Sequence, residues 1–216
     1  MELFKHILHL DFEWLFENYG LLVYLILFTV ILIETGLVVM PFLPGDSLLF
    51  TAGLFANQIN SNTGTPFLNI YYLLILLFIA AVLGDNINYW VGRKIGTKIV
   101  ALNFKSKPII KPEYLNKTHL FYEKYGTKTI IMARFVPIVR TFAPFVAGIA
   151  GMNYKKFLSF DILGGALWIT SLTIAGYFLG NFQIIRKNIE LVAIAIIFIS
   201  VLPILLEIIK AKKVKK

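Results

Sequence analysis

The sequence predicts an all-α integral membrane protein built as an inverted repeat with two opposed re-entrant helical hairpins. Hydrophobic residues make up 58% of the 216 positions and charged residues 15%, against about 25% charged residues in soluble domains. No charge occurs between Asp46 and Asp85 or between Asp161 and Arg186, and each gap exceeds the ~20 residues that a spanning helix needs. A soluble domain of this size could not bury so many apolar side chains.

The chain begins with a predicted amphipathic helix over residues 3–17. Wound as a helix, most of its polar side chains fall within an arc of about 120° and most apolar side chains lie opposite. Asp11 interrupts this pattern. We expect the helix to lie on the membrane surface.

Two apolar segments, residues 18–57 and 129–151, are interrupted by proline and glycine, which predicts re-entrant hairpins of half-helices. Proline disrupts a helix interior, and non-helical backbone at membrane depth survives only where it is buried in protein or lines a wet cavity. The residues expected to break the hairpins are Pro41, Pro44 and Gly45 in the first segment and Pro137, Pro144 and Gly148 in the second.

About three full spans are predicted, over residues 70–92, 158–180 and 190–209. Gly84, Gly92 and Gly96 are expected to let helices approach closely. The loop 93–128 holds nine Lys or Arg and two Glu, and the tail 210–216 holds five Lys. The positive-inside rule makes both segments, and therefore the C-terminus, cytoplasmic.

Each broken segment leads into a span that contains glycine and tryptophan, so the two halves form a weak internal repeat. If both segments are hairpins, the first enters from outside and the second from the cytoplasm. That is an inverted repeat, a transporter architecture with its site near the midplane. If residues 18–36 cross fully instead, the N-terminus lies inside. The side of the N-terminus and the oligomeric state, including a homo-oligomer, stay open.

The net charge of +9 would also suit a nucleic-acid-binding protein. The basic clusters adjoin apolar spans, however, and the positive-inside rule explains them more simply. We therefore expect membrane lipids and no nucleic acid as partners.

Four ionisable residues lie in or beside the broken segments, namely Glu34 and Asp46 in the first and Arg134 and Arg140 in the second. A charge at the bilayer centre costs about 2.5–3.5 kcal/mol on insertion scales, so these side chains must pair, face water, or both. One interpretation is a structural clamp between acids and arginines. The other is a functional site, because arginine offers a charged planar fork for phosphate and a carboxylate can exchange a proton. A phosphate that displaces a carboxylate combines both interpretations.

Five further residues are predicted to support this site. Asp85 lies one helical turn before Tyr89 and two turns before Arg93, with Trp90 beside them. Asp161 lies near the start of a later span. Tyrosine, tryptophan and arginine at the end of a span also form an ordinary interfacial belt, so both interpretations stay open.

We expect no cofactor, no metal and no catalytic residue. The chain has no cysteine and three histidines, which no cluster of acids accompanies. The sequence motifs of serine hydrolases, zinc peptidases and P-loop nucleotidases are absent. An enzyme acting on lipid phosphates would also need a nucleophile or an acid–base histidine at membrane depth, and none is evident.

The sequence resembles the DedA family, whose shared region is also called the VTT or SNARE-associated domain. Three blocks in order carry the resemblance. The first runs from Glu34-Thr-Gly to Pro-Phe-Leu-Pro-Gly-Asp46-Ser, the second from Gly84-Asp to Gly-Arg93, and the third from Arg134-Phe-Val-Pro-Ile-Val-Arg-Thr to Trp168.

This resemblance implies a multi-pass protein of the bacterial plasma membrane with two facing hairpins and a role in lipid translocation. Bacterial members are associated with returning undecaprenyl phosphate to the cytoplasmic face, relatives with phospholipid scrambling, and the family with the proton-motive force. The family's functional acids map onto Glu34 and Asp46, and its functional arginines onto Arg134 and Arg140. Asp161 departs from the asparagine expected from similar sequences.

Residues and resemblance together predict a proton-coupled flippase for an anionic lipid phosphate, with undecaprenyl phosphate as the expected substrate. Arg134, Arg140 and Thr141 are expected to bind the phosphate, while Glu34 and Asp46 exchange protons and alternate as partners of the arginines. The alternatives are a proton-coupled antiporter of small cations or drugs, a phospholipid scramblase, and a membrane enzyme acting on lipid phosphates.

Overall fold

The computed structural model describes residues 12–37, 45–60, 64–96, 103–104, 107–108, 128–135 and 137–182. Several predicted features lie wholly or mostly outside these ranges. They are the surface helix before residue 12, the breaks at Pro41 and Pro44, most of the loop 93–128, the span 190–209 and the tail 210–216.

The described ranges are almost entirely helical. Two-residue strands, β1 (Asn103–Phe104) and β2 (Lys107–Pro108), pair antiparallel. A π-helical segment, Gly92–Gly96, continues the helix that ends at Val91. The α-helices are α1 (Phe12–Tyr19), α2 (Leu22–Gly36), α3 (Gly45–Asn57), α4 (Ile70–Val91), α5 (Lys128–Ala133), α6 (Pro137–Ile149) and α7 (Tyr154–Leu179).

Two of these helices are long and apolar enough to cross a membrane. They run over Ile70–Gly96 and Tyr154–Leu179, with mean hydropathies of 2.1 and 1.6. The prediction of an all-α protein with long apolar helices is therefore confirmed. By contrast, α3 and α6 have 13 residues each, and at 1.5 Å per residue they reach about 20 Å, short of the ~30 Å hydrocarbon core.

The second broken segment is interrupted at the first of its two prolines and not at the second. Helix α5 ends at Ala133 and α6 begins at Pro137, the first helical position, where the missing N–H of proline is harmless. Pro144 and Gly148 lie inside α6, so the expectation that they break the hairpin is wrong. A proline is tolerated within a membrane helix because neighbouring groups satisfy the carbonyls it releases.

The chain forms two compact units. The first comprises residues 1–31, 42–80 and 167–216, and the second comprises residues 32–41 and 81–166. Helices α2, α4 and α7 contribute residues to both units, whereas α3 belongs to the first and α6 to the second.

In the first unit, α3 packs on the C-terminal half of α7 through two glycines. A Cβ on Gly53 would overlap the carbonyl oxygen of Thr173, and a Cβ on Gly176 would overlap that of Phe50. The contact is reciprocal. The glycine of α3 lies three residues after Phe50, and the glycine of α7 lies three residues after Thr173. This reciprocal contact leaves no room for larger residues and sets the spacing of the two helices.

In the second unit, α6 packs in the same way on α4 and the π-helical segment. A Cβ on Gly148 would overlap the carbonyl oxygen of Tyr89, and a Cβ on Gly92 would overlap that of Phe145. The close packing expected at Gly92 is therefore confirmed. The sequence Phe145-Val-Ala-Gly148 occupies the place in this contact that Phe50-Thr-Ala-Gly53 occupies in the first unit.

Candidate functional site

Among its described residues, the second unit buries five acidic or basic side chains, each at most 6% exposed. They come from five different places in the fold: the end of α2, the middle of α4, the turn after α5, the first turn of α6 and the first half of α7. Such groups are rarely buried without partners. In that order along the chain they are Glu34, Asp85, Arg134, Arg140 and Asp161, and we call them the acid–arginine cluster.

Arg134 lies between two carboxylates. Its Nη2 forms ion pairs with Asp85 Oδ2 and with Asp161 Oδ1. The guanidinium lies over two adjacent glycines of α7, because a Cβ on Gly164 would come 3.1 Å from Arg134 Cδ and one on Gly165 would come 3.4 Å from Arg134 Cζ. The missing side chains therefore leave the space that this arginine fills.

Arg140 pairs with Glu34, since its Nη2 contacts Glu34 Oε1. Glu34 lies in the last turn of α2, and Arg140 lies in the first turn of α6. The N-terminal end of a helix carries partial positive charge, and its free N–H groups suit an anion. The guanidinium of Arg140 adds a full charge at this end of α6, which makes it favourable for a carboxylate or a phosphate.

Asn88, which the sequence analysis missed, ties these two helix ends together. Its Nδ2 donates to the carbonyl oxygens of Thr35 at 3.2 Å and Thr141 at 2.7 Å. Thr35 lies in the last turn of α2, where carbonyls have no donor within the helix. The residues on either side of this bridge are Glu34 and Arg140. An asparagine one turn after Asp85 in an apolar span was the available signal.

Tyr89, Trp90 and Arg93 form a separate group at the end of α4. The Tyr89 hydroxyl donates to the carbonyl oxygen of Met152 at 2.5 Å, and Arg93 Nη1 donates to the Tyr89 hydroxyl at 2.6 Å. The Arg93 guanidinium also lies 5.8 Å from the Trp90 ring centre. Arg93 and Trp90 are exposed, so these contacts fit the interfacial-belt interpretation.

Asp46 belongs to the first unit, in the first turn of α3. Its Oδ1 accepts a hydrogen bond from Trp168 Nε1 at 2.9 Å, and a carboxylate at a helix N-terminus is favoured by the helix dipole. The expectation that Asp46 alternates with Glu34 as a partner of the arginines stays a prediction. Thr141, in the second unit, is buried beside Arg140.

The described residues contain no group of three or more His, Cys, Asp or Glu that could hold a metal ion. The acid–arginine cluster consists of arginines and carboxylates. It offers two cations with planar donor forks and three carboxylates, which together can hold an anionic group, a proton, or both.

Comparison with known proteins identifies the family to which the chain belongs. A family model described as the VTT domain matches residues 43–178. Protein DedA of Escherichia coli (strain K12) is 49% identical over 213 residues, which cover 98% of this chain and 94% of that protein. No solved structure matches.

Two further relatives carry the word membrane in their names. An uncharacterized membrane protein of Mycobacterium tuberculosis (strain H37Rv) is 46% identical over 178 residues, covering 82% of this chain and 74% of that protein. Inner membrane protein YqjA of Escherichia coli (strain K12) is 33% identical over 166 residues, covering 77% and 71%.

Long apolar helices around a buried set of ion pairs define an integral membrane protein, and the relatives place it in a bacterial inner membrane. The chain belongs to the DedA family, whose shared region is the VTT domain. The resemblance drawn from the three sequence blocks is confirmed.

Proposed function

We propose that this protein is a lipid transporter that moves an anionic lipid phosphate across the inner membrane with proton coupling, and that undecaprenyl phosphate is its substrate. The observation that supports this proposal is the burial of two arginines against three carboxylates in one unit. Membrane proteins keep such charges at a price in stability, and they mark substrate and proton pathways.

The geometry supplies a means of exchange. Each arginine is neutralised by carboxylates, and a phosphate can take the place of a carboxylate because the guanidinium fork fits both groups. The displaced carboxylate would then be a buried, unpaired charge, which is costly. Binding a proton removes that charge. Phosphate binding at Arg134 or Arg140 thus draws protons into the cluster, and release of the phosphate returns them.

The proposed path needs to carry only the head group, because the lipid tail stays in the hydrocarbon. Residues 18–57 and 129–151 act as the two re-entrant hairpins in this proposal, with the C-terminus in the cytoplasm. The 13-residue lengths of α3 and α6 and the repeated Phe-x-Ala-Gly contact support that arrangement. Asp46 is the second proton-exchanging acid.

A small-cation antiporter fits the site less well, because a cation that entered the cluster would meet two fixed guanidinium charges. A scramblase would use the same head-group path without drawing on a proton gradient. An enzyme would release inorganic phosphate from the lipid, whereas the transport proposal predicts no such release.

Reconstitution in liposomes tests the proposal. Fluorescent or quenchable lipid phosphate is followed with and without a pH gradient in wild type, Arg140→Lys and Glu34→Gln. Lysine keeps the charge but loses the planar fork, and glutamine keeps the shape but cannot exchange a proton. We expect both variants to insert normally and to transport at least about tenfold more slowly, which corresponds to a loss of about 1.4 kcal/mol in the transition state.

Lys156→Gln is the matched control, because Lys156 is exposed at the start of α7. This variant should transport like wild type. Competition identifies the substrate class: excess lipid phosphate should slow transport, and small cations should not. Full activity in both Arg140→Lys and Glu34→Gln would refute the proposed exchange.

A further inference from the structure

Two carboxylates contact Arg134 in the acid–arginine cluster, although exchange with one phosphate requires only one. Asp85 on α4 and Asp161 on α7 contact the same nitrogen, Nη2 of Arg134. Because one oxygen of each carboxylate touches the same nitrogen, the two carboxyl groups share one small site. Both residues are buried, at 3% and 0% exposure.

The charges of this group do not balance. One guanidinium cannot neutralise two carboxylates, and arginine does not lose its proton in proteins. Two carboxylates that share a buried site do not both ionise readily, because each disfavours the charge of the other. Asp161 Oδ2 is also buried and has no hydrogen-bond partner among the described residues, so full ionisation there would leave charge uncompensated.

The surrounding groups do not supply the missing positive charge. The other charged side chains buried in this unit's described part are Glu34 on α2 and Arg140 on α6, and they neutralise each other in an ion pair. Fully ionised, the five side chains carry two positive and three negative charges, a sum of −1. A single proton brings the cluster to neutrality, the state that a low-dielectric interior favours.

We propose that Asp85 and Asp161 hold one proton between them at rest, and that this pair is a proton-binding site of the transport cycle. The role in transport rests on the proposed function. When a singly charged phosphate head group engages Arg134, the remaining carboxylate of the pair takes up a second proton. The site then holds two neutral acids, one guanidinium and one phosphate, and its charge is unchanged. One proton is bound for each negative charge that Arg134 accepts.

Infrared difference spectroscopy on the purified protein tests the resting proton without a transport assay. A buried protonated carboxylic acid gives a carbonyl stretch that is separate from the carboxylate bands. Asp85→Asn and Asp161→Asn each leave one aspartate facing Arg134, a balanced ion pair that needs no proton. We expect wild type at neutral pH to show the acid band, and each single variant to lose it.

Lys156→Gln is the control, because Lys156 is exposed and lies outside the acid–arginine cluster, so this variant should keep the band of the aspartate pair. Melting temperature and size-exclusion profile establish that each variant is folded, and two independent aspartate variants guard against one that is not. Absence of the band in wild type, its persistence in both aspartate variants, or its loss in Lys156→Gln would overturn the assignment.

A second arm separates this inference from the proposed function. A pH indicator in weakly buffered detergent solution follows proton uptake when a lipid phosphate is added. We expect wild type and each single aspartate variant to take up about one proton per singly charged lipid phosphate bound, because each keeps one carboxylate that Arg134 releases, and Asp85→Asn/Asp161→Asn to take up about one fewer. If lipid phosphate does not bind but the infrared bands behave as stated, the shared proton of Asp85 and Asp161 is supported and the proposed substrate is refuted. If lipid phosphate is transported but the infrared bands do not behave as stated, the shared proton is refuted and the proposed function is supported.

Discussion

Replacing Asn88 with alanine removes both hydrogen bonds that join the last turn of α2 to the first half of α6. The amide of Asn88 is fully buried, and it donates to the carbonyl oxygens of Thr35 and Thr141. Alanine leaves both carbonyls without this donor. Since Glu34 and Arg140 are the chain neighbours of these two residues, the ion pair loses the bridge that holds its two backbones in register.

The magnitude follows from the count of hydrogen bonds. A buried polar group that loses its partner costs about 1–3 kcal/mol, whereas measured hydrogen bonds between membrane helices average about 0.6 kcal/mol. Two lost bonds therefore cost about 1–6 kcal/mol. The variant also removes Asn88 Oδ1, a buried atom with no partner among the described residues, which offsets part of this loss. We expect a net destabilisation of about 2 kcal/mol.

Asn86→Ala is the matched control on the same helix. Its Oδ1 accepts one interhelical hydrogen bond, from the Tyr154 hydroxyl at 2.7 Å, and its side chain is only partly buried. Reversible unfolding in mixed micelles should show Asn88→Ala to be less stable than Asn86→Ala by about 1 kcal/mol. Lipid-phosphate transport should fall in the first variant only. Equal stability and equal transport in the two variants would refute the reasoning.

Three further predictions concern contacts elsewhere in the two units. Gly92→Ala should lower the unfolding free energy by about 1–3 kcal/mol because its Cβ overlaps a carbonyl oxygen. Gly36→Ala should lower it less in the same micelle assay, because its Cβ would lie 3.4 Å from the nearest atom, an ordinary contact. Arg134→Lys should weaken lipid-phosphate binding at least about tenfold, because the ammonium lacks the planar fork of a guanidinium; binding equal to wild type would contradict the role of Arg134. Trp168→Phe should destabilise the protein by about 1 kcal/mol through loss of the hydrogen bond to Asp46, and unchanged stability would show that this bond contributes nothing.

Much of the fold follows from local sequence. The long uncharged stretches predict α4 and α7, because helix length and apolar composition are properties of a single segment. The interruption before Pro137 also follows from local sequence, whereas the continuity of the helix through Pro144 does not. Pro144 lies within α6 because the effect of a proline depends on whether other parts of the protein satisfy the released carbonyl.

The candidate site, too, could be predicted from the sequence only in part. The cost of a buried charge predicts that Glu34 and Arg140 need partners, and they meet each other across 106 residues. That cost does not say which acids meet Arg134. Asp85 and Asp161 are distant from Arg134 and from each other along the chain, so only the packing of α4, α7 and the turn after α5 identifies them as its partners. Asn88 was missed because its carbonyl acceptors are backbone atoms, which carry no sequence signature.

The repeated contact between short and long helices was visible in the sequence only in part. Phe50-Thr-Ala-Gly53 and Phe145-Val-Ala-Gly148 are similar over four residues, too few to distinguish from coincidence. Their partners, Thr173 to Gly176 and Tyr89 to Gly92, share only the glycine. The structure makes the relation clear because both pairs form the same reciprocal backbone contact.

The account depends on an exchange of phosphate for carboxylate at buried arginines, with protons making up the charge. The most direct measurement records lipid-phosphate movement and internal pH together in the same proteoliposomes. We predict that protons and lipid phosphate move together and that both fluxes fall at least about tenfold in Glu34→Gln. Lipid-phosphate transport that proceeds at the wild-type rate with no accompanying proton movement would contradict the account.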